Sequence, residues 1–186
     1  MCTSIAMKRD HFYFGRNMDL QYEFGERIVI TPCNYPFSFR KAGEMKSHYA
    51  MIGMATVMRG YPMYAEAANE KGLCIAGLNF PDNAYYSTVM DSSKANISPF
   101  ELIPWLLGRC ASLAEARKLL ENTCLVAIPF SEKVPLATLH WHIADKTGSI
   151  VLEATACGMR IYENPVGIMT NNPPFEFHMQ NLCQYM

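Results

Sequence analysis

The chain begins with MCTSIAMKRD (1–10), in which a cysteine directly follows the initiator methionine. Removal of Met1 would leave a free α-amine and a thiol on the same residue, Cys2. A free α-amine has an ordinary pKa of about 7.7–8.0 and a free thiol one of about 8.5, so the amine is partly neutral at neutral pH without burial. The sulfur of such a residue can attack a carbonyl while its own nitrogen moves the proton. The stretch therefore predicts an N-terminal nucleophile, provided that the rest of the chain supplies the partners of that chemistry.

The composition is that of a globular protein. Half of the 186 residues are apolar and 18% are charged, and we expect one domain over residues 1–186. Sixteen basic and seventeen acidic residues give a net charge of −1, which does not favour nucleic acid or an anionic membrane as a partner. The first residues lack a secretory pattern, and no apolar run reaches the ~18 residues of a membrane span. We expect a soluble protein.

The cysteines are odd in number, widely spaced and never arranged as C-x-x-C. This pattern favours neither a disulfide framework nor a zinc site. We expect reduced thiols in a cytoplasmic protein, with no metal and no cofactor. Apart from Cys2, the cysteines are interpreted as small buried hydrophobic residues: Cys33, Cys74, Cys110, Cys124, Cys157 and Cys183.

The order of predicted elements is strands, two helices, then strands. Ser98 and Ser112 each begin an S-x-x-E capping signature, at SPFELIPWLLGRCA (98–111) and SLAEARKLLENT (112–123). Residues 82–97 are predicted to form a loop. This segregation favours an α+β layered fold. The predicted strands are HFYFGRNMD (11–19), RIVITP (27–32), YAMIGMATVM (49–58), LCIAGLNFP (73–81), TLHWHIAD (138–145), IVLEATA (150–156), GMRIYE (158–163) and VGIMTN (166–171).

Polar residues at the ends of predicted strands are candidates for the remaining parts of the site. A guanidinium near the thiol would favour the thiolate, which makes Arg16 a candidate. Asp19 could orient the amine by hydrogen bonding, and the amides of Asn79 and Asn171 could donate to an oxyanion. Each residue also has an ordinary interpretation, because Arg16 and Asp19 could form a surface ion pair and the asparagines could belong to turns.

Together, six motifs resemble the choloylglycine hydrolase family, which comprises bile salt hydrolases and penicillin V acylases among the N-terminal nucleophile hydrolases. The motifs are MCT (1–3), FGRNMD (14–19), GYPMYAEAANEKGL (60–73), AGLNFP (76–81), LHWHIAD (139–145) and TNNPPFEFHMQNL (170–182). The resemblance covers the whole chain in order. It implies an αββα four-layer sandwich of two antiparallel sheets between helical layers. It also implies hydrolysis of the amide bond between a bile acid and glycine or taurine, and a homotetramer in the full-length family enzymes.

The resemblance also assigns roles to residues. It implies that Cys2 is the nucleophile, that Arg16 lies beside the thiol, and that Asp19 holds the amine. Asn79 and Asn171 match the two asparagines that help to stabilise the oxyanion, and Asn172 has no such counterpart. Four residues match apolar substrate contacts, with ordinary core or loop packing as the alternative: Met18, Met58, Phe130 and Val134.

Several alternatives remain open from the sequence. Family enzymes are longer, and a further active-site arginine and several strands lie in the part that has no counterpart here, so the domain is expected to be incomplete. The chain could be a fragment, an acylase for penicillin V, or a non-catalytic protein that binds bile acids. His140 and His142 share a strand face at a spacing that suits a metal, but hydrogen-bonded structural histidines are the preferred interpretation.

Overall fold

Strands form most of the structure, and two antiparallel sheets stack face to face. The computed structural model describes residues 1–19 and 22–185. The helices are α1 (Leu102–Arg109), α2 (Leu113–Glu121) and α3 (Phe175–Leu182). The strands are β1 (Thr3–Lys8), β2 (Phe12–Asn17), β3 (Arg27–Thr31), β4 (Phe37–Phe39), β5 (Gly43–Met45), β6 (Met51–Met58), β7 (Tyr61–Asn69), β8 (Cys74–Asn79), β9 (Ala95–Ile97), β10 (Thr123–Leu125), β11 (Leu139–Asp145), β12 (Gly148–Thr155), β13 (Gly158–Glu163) and β14 (Ile168–Thr170).

The larger sheet has the order β13-β12-β11-β8-β7-β6-β3, and the smaller one has the order β14-β1-β2. Strands β8, β11 and β12 lie in the larger sheet and are buried on both faces. Both of their faces therefore carry mainly apolar side chains, and the buried polar residues His140, His142 and Glu153 are hydrogen-bonded. Two short pairs complete the pairing, an antiparallel β4–β5 hairpin and a parallel β9–β10 pair.

The two faces of the larger sheet bury different clusters. On one face, Ile75 and Ile143 join a core that includes Trp105 and Leu106 of α1. On the other face, the side chains between the two sheets are Cys2, Ala76, Leu78, Val151, Met169 and Phe175. The layers are thus helices, large sheet and small sheet, and α3 packs its Phe175 into the space between the sheets.

The helix starts agree with the capping signatures. The Ser112 hydroxyl accepts a hydrogen bond from the Glu115 N–H at 3.3 Å, as an N-cap does. At Ser98 only one half of the capping box forms, because Glu101 accepts from the Ser98 N–H at 2.9 Å while the buried Ser98 hydroxyl has no partner among the described residues. A 3₁₀ turn precedes α1, so Pro104 falls in the first helical turn, where proline is tolerated.

The burial predicted for the cysteines other than Cys2 is wrong for three of the six. Cys74 and Cys110 are buried and Cys124 is partly exposed, whereas Cys33, Cys157 and Cys183 are exposed, because they lie in turns or in the last 3₁₀ turn.

The predictions about local structure also need correction. Strand β7 occupies Tyr61–Asn69, where the sequence indicated only a turn at its end. The loop predicted over 82–97 ends in β9, which pairs with β10. Strands β1 and β10 and the β4–β5 hairpin were not predicted. Short strands carry little periodic signal and are defined by partners that lie far away in the sequence.

None of the helices in the described part of the chain combines the length and the apolar character that crossing a bilayer requires.

Candidate active site

Cys2 lies immediately before β1, between the two sheets, with 3% of its surface exposed. It contributes to the wall of a cavity of about 710 Å³. Seven other residues proposed from the sequence line the same cavity: Arg16, Met18, Asp19, Asn79, Phe130, Val134 and Asn171. The fold thus gathers residues that are as much as 169 positions apart around one thiol.

The N-terminal amine lies against a carboxylate. The amine of Met1 donates to Asp19 Oδ2 at 2.5 Å, and this hydrogen bond together with the positive charge of the amine lowers the pKa of Asp19 below its ordinary value. Met1 itself is exposed. Asp19 therefore already binds a terminal ammonium group, that of the residue whose removal would release the Cys2 amine.

Asn171 connects Cys2 to the end of β8. Its Oδ1 accepts from the Cys2 N–H at 2.6 Å, and its Nδ2 donates to the backbone oxygen of Asn79 at 2.6 Å. The Asn79 side chain is oriented by Thr138, whose hydroxyl donates to Asn79 Oδ1 at 3.1 Å. The nitrogen held by Asn171 is the one that would become the α-amine. Asn172 instead donates to the Pro81 oxygen at 2.8 Å, which is a structural contact.

Arg16 forms an ion pair, but not with Asp19. Its Nη1 donates to Glu66 Oε2 of β7 at 2.9 Å, and the two side chains are 5% and 24% exposed. The alternative of a surface Arg16–Asp19 pair is therefore wrong. Sequence reasoning missed Glu66, although a carboxylate within the apolar run YPMYAEAAN was a signal that could have identified it.

The apolar wall of the cavity contains three of the four predicted substrate contacts. Met18, Phe130 and Val134 line it, whereas Met58 does not. Met58 pairs with Tyr61 next to the turn of the β6–β7 hairpin, two residues after Thr56, which does line the cavity. Sequence reasoning also missed several apolar residues of the wall, which share no motif: Phe24, Met63, Phe100 and Leu136.

The two histidines of β11 are buried hydrogen-bonding residues. His140 Nδ1 contacts Glu153 Oε1 at 3.1 Å, and the same oxygen accepts from the first N–H of α3, at Phe175. His142 Nδ1 contacts the Ser4 hydroxyl at 2.8 Å. Burial, and secondarily the charge of His140, lowers the pKa of His142 to about 4. The histidines therefore join β1, β11, β12 and α3, in agreement with the structural interpretation.

Taken together, these residues fit nucleophilic attack on an amide. A thiol lies in a largely apolar cavity, a carboxylate binds the Met1 amine, and an amide oxygen binds the Cys2 backbone N–H. A buried guanidinium and side-chain amides supply hydrogen-bond donors. Such donors stabilise a developing oxyanion best where water is excluded.

Known proteins share this sequence and this fold. A "Bile salt hydrolase/transferase" of Lactiplantibacillus plantarum is 50% identical over 185 residues, which cover all of this chain and 57% of that protein. A "Conjugated bile acid hydrolase" of Lactobacillus gasseri is 36% identical over 188 residues, covering 100% of the chain and 60% of its own length. The chain thus spans somewhat less than two thirds of these relatives.

Solved structures confirm the predicted αββα fold of N-terminal nucleophile hydrolases. The crystal structure of a mutant conjugated bile acid hydrolase from Clostridium perfringens matches with a TM-score of 0.94 at 39% identity, covering 100% of this chain and 58% of that one. A penicillin V acylase from Agrobacterium tumefaciens matches with a TM-score of 0.80 at 19% identity, covering 100% and 56%, and shows the fold alone.

The family assignment rests on the whole chain. The family described as linear amide C–N hydrolases, choloylglycine hydrolase family, matches residues 2–186, a range that includes every candidate site residue. With the fold and the relatives in agreement, the chain belongs to the choloylglycine hydrolase family.

Proposed function

We propose that this chain carries the nucleophilic part of a bile salt hydrolase, which cleaves the amide bond between a bile acid and glycine or taurine. The observation that carries the proposal is the convergence of Asn171 and Asp19 on the first two residues of the chain, in a cavity that Cys2 and Arg16 also line. The relatives at 36% and 50% identity are named as hydrolases of bile salts or conjugated bile acids, which supports the same substrate class.

The proposed reaction begins after removal of Met1. The Cys2 sulfur attacks the amide carbonyl, a C–S bond forms, and the thiol proton passes to the α-amine of the same residue. When the tetrahedral intermediate collapses, the C–N bond breaks and the ammonium returns its proton to the departing glycine or taurine. A water molecule, deprotonated by the amine, then cleaves the thioester and releases the bile acid.

In this scheme the surrounding residues have distinct roles. After removal of Met1, Asp19 would bind the Cys2 amine in place of the Met1 ammonium. Asn171 already accepts a hydrogen bond from the Cys2 nitrogen. Arg16 would favour the thiolate by the part of its charge that Glu66 leaves uncompensated. The side-chain amides of Asn79 and Asn171 would donate to the oxyanion, although one N–H of Asn171 is engaged by the Asn79 backbone in the present state.

The shape of the cavity suits a flat apolar acid. Met18, Phe130 and Val134 present thioether, ring and branched aliphatic surface on its wall, and such surfaces accommodate a rigid hydrocarbon skeleton. Penicillin V remains the alternative substrate within the same chemistry, and a non-catalytic bile-acid binder is the alternative of another class.

The test compares amine release by the processed protein with that of a Cys2→Ala variant. We expect glycine or taurine to be released from conjugated bile acids by the parent only, and intact mass to show loss of Met1 and an acyl adduct on Cys2. A Cys157→Ala variant, altered at an exposed cysteine, is the matched control and should keep full activity.

The alternatives give different outcomes in the same experiment. Faster release of phenoxyacetate from penicillin V than of taurine from its conjugate would favour the acylase. Bile-acid binding without an adduct would favour the non-catalytic binder. Release of taurine by the Cys2→Ala variant would overturn the proposed mechanism.

The proposal extends to a bacterial cytoplasmic homotetramer. The cysteines in the described residues are all free thiols, which suits a reducing compartment, and the two relatives described above are bacterial. The tetramer is implied by the family resemblance, and the native mass of the purified protein would test it.

A further inference from the structure

Glu66 is a buried-site carboxylate to which the proposed reaction gives no role. It lies within β7 of the larger sheet and forms an ion pair with Arg16 of the smaller sheet, with 2.9 Å between Oε2 and Nη1. The contact spans the two sheets and joins residues 50 positions apart. It therefore fixes the orientation of a guanidinium that would otherwise be free to turn within the cavity.

The sheet register places that guanidinium beside the thiol. Arg16 is the cross-strand partner of Ser4, and Cys2 is two residues from Ser4 and hence on the same face. Cys2 and Arg16 are therefore diagonal neighbours, a separation that long side chains bridge. Both line the cavity.

Few other charged groups face Cys2 in the described part of the chain. The Met1 ammonium and Asp19 form one opposite pair, and Arg16 and Glu66 form the other. Glu26 lines the cavity as well, and His142 lies behind Ser4. The Arg16–Glu66 pair is thus one of two pairs of opposite charge near the thiol.

Glu66 is itself held at a β-bulge. The register between β6 and β7 shifts after the Met54–Glu66 pair, so that Ala65 has no partner. Opposite the bulge, a Cβ on Gly53 would lie 2.0 Å from the backbone oxygen of Glu66, so only glycine allows the strands to approach this closely. Bulges of this kind re-aim side chains next to active sites.

We propose that Glu66 is a positioning residue that fixes the Arg16 guanidinium beside Cys2 and offsets most of its charge. The inference rests on the proposed function only in taking Cys2 as the nucleophile. With Glu66 ionised, the pair has almost no net charge, so little of the Arg16 charge acts on the Cys2 sulfur. Without that carboxylate, the same guanidinium would act on the thiol as an uncompensated cation.

The experiment follows alkylation of Cys2 by iodoacetamide as a function of pH, resolved by peptide mass spectrometry. In Glu66→Gln, an amide oxygen still accepts from Arg16 but the charge is lost, so we expect the half-maximal pH to fall by about half a unit to one unit. In Arg16→Gln, the Glu66 carboxylate loses its partner, and we expect its negative charge to raise the half-maximal pH. The double variant restores a neutral pair and should react close to the parent. The exposed Cys157 is the internal reference and should not change.

If Glu66 had only a structural role, Glu66→Gln would change the thermal midpoint and leave the alkylation–pH curves superimposed. That result would overturn the inference. A rise in the half-maximal pH of Glu66→Gln would overturn it as well. If Glu66→Gln does not fold, comparing Arg16→Gln with the double variant still shows whether removing the Glu66 charge lowers the half-maximal pH. Because alkylation needs no turnover, the expected shifts without amide hydrolysis would support this inference while contradicting the proposed function.

Discussion

His142 lies in the space between the sheets, fully buried, with the Ser4 hydroxyl on one ring nitrogen and the Asn164 amide on the other. Its imidazole is not exposed to solvent, so protonation would place a poorly solvated charge between the layers. This single residue therefore links the proton concentration to the stability of the whole fold.

We expect His142 to make the protein less stable in mild acid. An unfolded histidine takes up a proton near pH 6.5, whereas in the fold burial lowers the pKa of His142 to about 4. The contribution of neutral His142 to the free energy of unfolding is therefore complete above pH 6.5 and is lost as the pH falls towards 4. The loss amounts to at most about 3 kcal/mol.

Urea denaturation of the parent and of His142→Gln at several pH values measures this contribution. For each protein, the free energy of unfolding is plotted against pH. The difference in slope between the two plots isolates His142 from the carboxylates that titrate in the same range. His11→Gln, at an exposed position, should keep the parental slope. Identical slopes for the parent and His142→Gln would show that the buried ring is not the titrating group.

At the scale of elements, the β6–β7 hairpin joins the core to the site. Its bulge at Ala65 aims Glu66 at Arg16, while Thr56 and Met63, a cross-strand pair of the same hairpin, line the cavity. The hairpin can do both because Gly53 permits the strands to come closer than any side chain would allow.

We expect Gly53→Ala to be clearly destabilising. The added Cβ would lie 2.0 Å from the backbone oxygen of Glu66 and 2.6 Å from the Ala67 Cα, so the backbone must move. Overpacking of this kind costs about 1–3 kcal/mol in the free energy of unfolding. The measurement is the free energy of unfolding in urea.

Gly15→Ala, where no atom lies within 4 Å of the added Cβ, is the matched control and should change stability by less than about 0.5 kcal/mol. Equal effects of the two substitutions would mean that the strands are not held at the bulge.

At the scale of the whole molecule, one end of the larger sheet exposes apolar side chains. Strand β3 is the edge strand, and Ile28 and Ile30 point to the same face as their partners Met54 and Ile52 on β6. Ile30 is 70% exposed. Exposed apolar edge strands pair with other chains, because their backbone donors and acceptors lack partners.

We expect this chain to self-associate through β3, and a lysine at the edge should weaken the association. Sedimentation velocity of the parent and of Ile30→Lys over a range of concentrations measures the effect. Val89→Lys, at an exposed apolar position outside the sheets, is the control and should behave as the parent does. A parent that stays monomeric at high concentration would contradict the prediction.

Local features were predictable from the sequence because they depend on neighbouring residues. The cap at Ser112 and the strand segments of β11 and β12 follow from rules that act over a few positions. The chemistry proposed for Cys2 is local too, since the thiol and the amine that removal of Met1 would release belong to one residue. The roles of the other site residues came from the family resemblance, not from spacing.

Contacts across the sheets were decided only by the tertiary structure. The pairing of Arg16 with Glu66 instead of Asp19, and the bond from Cys2 to Asn171, depend on register between strands 50 and 169 positions apart. Met58, next to the turn of the β6–β7 hairpin, does not line the cavity that Thr56 of the same strand lines. The sequence by itself determined which groups are available for chemistry, and the stacking of two sheets decided which of them meet, since side-chain proximity between layers is set by long-range pairing and burial and not by local periodicity.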